Sequence, residues 1–86
     1  MSPELVNALQ ERWQEVETIH AKTEGDIPSD LAQWYACETT RIARKLAKAG
    51  WVSTGYNNPA APNVMQWEYD PAKAEYLLAL ADAVSA

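Results

Sequence analysis

The stretch DLAQWYACETTRIARKLAKAGWV, residues 30–52, carries the reading of this chain. Two helical segments are legible around it. The first runs from about Ile27 or Ser29 to Tyr35, and Pro28 suits its first turn. The second runs from about Glu38 to Ala49, with Gly50 in the position just past a helix end that favours a left-handed residue. Ile42, Leu46 and Ala49 recur at helical spacing and form the expected buried stripe of this second segment. A short turn at Ala36–Cys37 separates the two.

Outward from this stretch the pattern changes twice. After Gly50, WVSTGY (51–56) and VMQWEY (64–69) are rich in aromatic and β-branched residues. They flank NNPAAPN (57–63), which is dense in turn formers, so the three together predict a β-hairpin. Met65, Trp67 and Tyr69 share one face of the second strand, Gln66 and Glu68 the other. Asp70 is placed to cap a last helix over 71–84, with Pro71 at its first position and Leu77, Leu80, Ala81 and Val84 as its apolar face. Toward the N-terminus, Ser2 and Pro3 open a helix over 3–22. Val6, Leu9, Trp13, Val16 and His20 form its apolar stripe, which Leu5 and Ile19 widen. Thr23 to Asp26, with Gly25, reads as a turn. The expected class is mainly α with a β-hairpin (α+β), in the order helix-helix-helix-hairpin-helix. One domain spans 1–86, with a core over 27–69 and flanking helices 3–22 and 71–84.

Charge is unevenly distributed. The chain has a formal net charge of −5, yet residues 39–67 hold Arg41, Arg44, Lys45 and Lys48 and no acid. Residues 1–38 carry eight acidic and two basic side chains, and residues 68–86 carry four and one. Segregation of this kind marks a surface for a polyanion or an acidic partner; the bland reading is a solvated helix face.

The bulk properties exclude other classes. Eighty-six residues support a thin core, to which four Trp and four Tyr contribute large buried areas. The single Cys37 excludes an intramolecular disulfide and fits a reducing, cytoplasmic compartment. The N-terminal sequence lacks the pattern of a secretory signal, and no apolar run reaches the ~20 residues of a membrane span. There is no glycine-rich phosphate loop and no nucleophile–His–acid set, so neither an enzyme nor a cofactor is expected. His20 reads as a packed histidine, with a metal ligand as the alternative. Cys37 reads as a small buried residue, with a redox-sensing thiol as the alternative. Trp13, Trp34, Trp51 and Trp67 read as core or interface residues.

Residues 30–52 resemble the helix-turn-helix and first wing strand of winged helix-turn-helix transcriptional regulators. Those often read E-L-A-x-x-L-G-V-S-x-x-T-V-x-R-x-L-x-x-L-x-x-x-G-x-V. Leu31 and Ala32 match the L-A pair, and Ile42, Arg44 and Leu46 match V-x-R-x-L. Gly50 and Val52 fall near the final G-x-V, with one residue fewer before the glycine than in longer variants. Tyr35 stands where the family usually has Leu, and Ala36 where it has Gly.

The resemblance implies that helix 38–49 enters the major groove of double-stranded DNA. At about 100° per residue, Thr40 and Arg44 lie opposite the buried stripe, Arg41 and Lys48 on one flank, and Thr39 near the boundary. Lys45 sits close to the buried edge, from which its head reaches a phosphate or water. Arg44 is the expected base contact, because a guanidinium bridges guanine O6 and N7. Arg41 and Lys48 suit phosphates, and Thr40 a phosphate or a thymine methyl. Asn57 and Asn58 in the wing loop either touch the backbone or minor groove or serve turn geometry alone. The expected function is a small DNA-binding transcriptional regulator, a homodimer through the first or last helix. The alternative is a winged-helix interaction module, an inhibitor or adaptor that binds protein and not DNA.

Overall fold

The computed structural model describes residues 2–22 and 29–85. The turn expected at Thr23–Asp26, and the residues Ile27 and Pro28 at the expected start of the next helix, lie outside the described residues. The order of elements is α1 (Pro3–Ala21), α2 (Ser29–Lys48), β1 (Trp51–Gly55), β2 (Gln66–Tyr69) and α3 (Pro71–Ser85). The class is mainly α with a two-stranded antiparallel hairpin, an α+β layout. Among the described residues no helix is long and apolar enough to cross a membrane.

The order corrects one expectation. The two helices foreseen on either side of Ala36–Cys37 are a single helix of 20 residues, so the sequence of elements is helix-helix-hairpin-helix. The cause is local. A turn there calls for a left-handed residue, and a side chain in that conformation costs roughly 1–2 kcal/mol. Ala36 instead has the best helix propensity, and no described non-glycine residue has a positive φ. On this continuous helix the Thr39 hydroxyl donates back to the Tyr35 carbonyl at 2.8 Å, and Glu38 pairs with Arg41 across one turn.

The described residues group into two compact units, Met1–Ile42 and Ala43–Ala86, and the boundary falls inside α2. In the first unit, Ser2 caps α1 by accepting a hydrogen bond from the Leu5 amide at 3.2 Å, and Pro3 sits where no amide is needed. Val6, Leu9 and Val16 are buried, while Trp13 and His20 on the same stripe are half-buried. Leu5 and Ile19, which widen the apolar stripe in sequence, remain exposed. His20 stacks on Tyr35 with ring centroids 4.0 Å apart. The Tyr35 hydroxyl donates to Glu17 Oε1 at 2.6 Å, which joins α1 to the first half of α2.

In the second unit, Gly50 ends α2 with φ +93°. A Cβ placed there would lie 2.9 Å from Cε1 of Tyr69, so the glycine serves both backbone conformation and close approach. The hairpin follows at once, with Trp51 opposite Tyr69, Val52 opposite Glu68 and Ser53 opposite Trp67. A register shift between Ser53 and Gly55 bulges the first strand. Both strands are shorter than the runs 51–56 and 64–69 suggest, because the connecting segment folds into successive turns. In these the Ala61 amide donates to the Asn58 carbonyl and the Val64 amide to the Ala61 carbonyl. Trp51 meets Tyr69 edge-on, with centroids 5.5 Å apart.

Asp70 caps α3 through its Oδ1 to the Lys73 amide at 3.1 Å. The helix packs on β1, but not with the face expected. Ala74 is buried and Leu78 and Ala81 are half-buried, whereas Leu77, Leu80 and Val84 are exposed. A helix that is apolar nearly all round gives periodicity no means of choosing between its faces. The small Ala74 permits close approach of the hairpin, and that selects the inner side.

Candidate nucleic-acid interface

The second half of α2 separates apolar from cationic side chains. Ile42 and Leu46, one turn apart, are both 0% exposed. Thr40, Arg41, Lys45 and Lys48 are exposed, with Arg41, Lys45 and Lys48 aligned at spacings of four and three. The stripe arises because a helix whose core positions are fixed by two aliphatic residues must turn the intervening long cations outward.

Two placements differ from the helical projection. Lys45, expected at the buried margin, is exposed. Arg44, expected to point straight out, is half-buried. Its Nη1 lies 3.4 Å from Oδ1 of Asp82 on α3, so α3 comes up beside that flank of α2. Ala49, foreseen in the buried stripe, is half-buried.

The remaining expected site residues divide by how their polar atoms are used. Thr40 is exposed. Thr39 is half-buried, and its hydroxyl proton is directed to the Tyr35 carbonyl at 2.8 Å, with the Ala36 carbonyl at 3.3 Å. What it retains is acceptor capacity, which does not suit a phosphate. Asn58 is exposed, and its Oδ1 accepts from the Ala60 amide at 3.0 Å, an Asx turn. The exposed Asn57 directs Nδ2 to the Thr54 carbonyl at 3.4 Å. Both asparagine side chains thus hold the loop backbone in its turns.

Sequence reading missed two acids. Glu38 accepts from Arg41 Nε at 3.3 Å and from its terminal nitrogen at 3.1 Å, and also meets Arg12 at 3.5 Å. Hydrogen bonds from Arg41 hold the Glu38 carboxyl below its ordinary range. Desolvation opposes this, and the charges of Arg41 and Arg12 reinforce it. The same bonds raise the Arg41 guanidinium. The Glu38–Arg41 spacing of three was visible in sequence, since both residues lie in the helix expected over 38–49. Asp82 lies 38 positions from Arg44 and carried no local signal. Among the described residues, no carboxylate pairs with Lys45 or Lys48 within 4.0 Å.

The other singled-out residues fall outside the stripe or in a different state from that expected. Cys37, expected buried in a turn, is exposed on α2, because the continuous helix carries it to the solvent side. Arg12 pairs with Glu15 at 2.8 Å and lies 5.9 Å from the ring centre of Trp34. Trp13, Trp34, Trp51 and Trp67 are each half-buried. No known family, characterised protein or solved structure matches this chain.

Proposed function

We propose that this protein is a small DNA-binding transcriptional regulator of the cytoplasm, related in design to winged helix-turn-helix proteins, which uses the C-terminal half of α2 against the duplex as a homodimer. The observation that supports this reading is the exposed stripe Arg41, Lys45 and Lys48 beside Thr40, on a helix that buries Ile42 and Leu46. Three cations at that spacing lie along about 10 Å of helix axis, which suits contact with neighbouring phosphates. The uninterrupted α2 differs from the usual two-helix arrangement, so the support for the reading is this stripe, with α2 lying along the backbone or in the major groove. Asn57 and Asn58, tied into the turns of the loop, have a structural role in it.

Fluorescence anisotropy of mixed-sequence duplex DNA across a salt series tests the proposal. Each neutralised phosphate contributes roughly −0.9 to the slope of log K against log[salt]. Four cations predict roughly −3.6 per protomer, and Lys45 and Lys48 alone roughly −1.8. Absence of binding at low salt, or a slope near zero, overturns the reading.

A second reading is a protein-interaction module that does not bind DNA. Two features favour it: Arg41 and Arg44 each face an acid of their own chain, and the net charge is −5. The same salt series separates the two readings.

A further inference from the structure

The outer side of α3 is an apolar surface that the fold leaves uncovered. Lys73, Leu77, Leu80 and Val84 recur at spacings of four, three and four and lie in one line along the helix. All are exposed: Leu77 by 41%, Leu80 by 44% and Val84 by 87%. Tyr76, 63% exposed, borders the line. The inward side is already occupied by Ala74, Leu78 and Ala81. The two acids of the helix, Glu75 and Asp82, are seven residues apart on the opposite flank and leave the line without negative charge. A soluble chain seldom leaves a contiguous aliphatic and aromatic patch of this kind without a partner.

We propose that this line is a self-association surface, on which α3 pairs antiparallel with α3 of a second copy. Charge selects both the occupant and the direction. The line bears one cation, Lys73, at its N-terminal end, and α3 has no basic side chain in its last turn. The last carbonyls of a helix carry partial negative charge and lack intrahelical donors. Antiparallel pairing with Leu77 opposite Leu80 sets each Lys73 beside Val84 of the other copy, over those carbonyls. It does so twice, by two-fold symmetry. Parallel pairing would instead bring two Lys73 ammonium groups together and align the helix dipoles. This gives a surface to the homodimer proposed above, and sedimentation without DNA tests it separately from nucleic-acid binding.

Sedimentation equilibrium of the full chain, over about 10 µM to about 1 mM, measures the association. A reversible monomer–dimer equilibrium is expected. Leu80→Glu should weaken it at least tenfold, and Lys73→Glu severalfold. Circular dichroism should show both variants folded, because both side chains are exposed. Direction is read by disulfide trapping on a Cys37→Ser background. Lys73→Cys mixed with Val84→Cys should give the mixed disulfide faster than either protein cross-links to itself. A monomer throughout the range, which would leave the face to a different protein, overturns the proposal. So does a dimer unaffected by Leu80→Glu, or preferential self-cross-linking of Lys73→Cys. DNA binding by a strict monomer would retain the nucleic-acid reading while removing this one.

Discussion

Glu38 and Arg41 sit one turn apart on α2, and the carboxylate takes hydrogen bonds from the guanidinium at 3.3 and 3.1 Å. The acid immediately outside the acid-free block thus holds the first cation inside it. The pair lies on the continuous α2, and it has consequences for stability and for binding.

Continuity itself is testable at Ala36, which is exposed in mid-helix. Ala36→Gly should destabilise the protein by about 1 kcal/mol, the usual cost of glycine in an exposed helix interior. Urea denaturation gives the value. In a helix-turn-helix the same change supplies the left-handed residue the turn prefers, so a neutral or stabilising outcome would mean that the helix breaks there.

The Glu38 carboxyl is held below its ordinary value of 4.5, chiefly by hydrogen bonds from Arg41. A carboxylate with a lowered native pKa stabilises the fold above its unfolded value, and that contribution is lost as pH falls through the native one. Glu38→Gln should therefore have a lower thermal midpoint than the parent at neutral pH. The gap should close as pH falls below 4.5 and through the lowered native value. A gap independent of pH would assign the difference to packing.

Removing the acids that face Arg41 and Arg44 should strengthen binding to DNA. Exposed ion pairs of this kind contribute little to stability, so a phosphate competes with them at modest cost. Asp82→Asn removes the carboxylate that faces Arg44, and Glu38→Gln the one that faces Arg41. Each should tighten duplex binding at low salt and steepen the salt slope by up to roughly 0.9. Lys48→Ala should shift the slope the other way. Unchanged slopes in all three variants would remove α2 from the interface.

Gly50→Ala should cost about 1–2 kcal/mol in urea denaturation, because φ +93° is unfavourable for any side chain. The ring of Tyr69, 2.9 Å from the new methyl, lies at the protein surface and can swing aside. Tyr69→Ala should consequently recover only a small part of the loss. Full recovery would show that the close contact, and not the backbone, makes glycine necessary there.

Local rules made most elements legible. Ser2 with Pro3 and Asp70 with Pro71 announced two helix starts, Gly50 announced a helix end, and the turn-rich 57–63 announced the hairpin. Each signal acts within a few residues along the chain. The break expected at Ala36–Cys37 is absent because alanine has the best helix propensity and no described non-glycine residue takes the positive φ that a tight turn there requires. The site was half legible. Periodicity around Ile42 and Leu46 turned Arg41 and Lys48 outward correctly.

Local sequence signals carried most of the elements, the cationic run on α2 and the absence of acid between residues 39 and 67. What depended on tertiary structure is the acid that Arg44 meets. Asp82 reaches Arg44 across 38 positions, and only the packing of α3 in the second unit brings them together. It also decided which side of α3 faces in. A helix apolar on both sides has no preferred face until a neighbour of a particular shape covers one of them. Ala74 against the hairpin made that choice, and Leu77, Leu80 and Val84 were left outside.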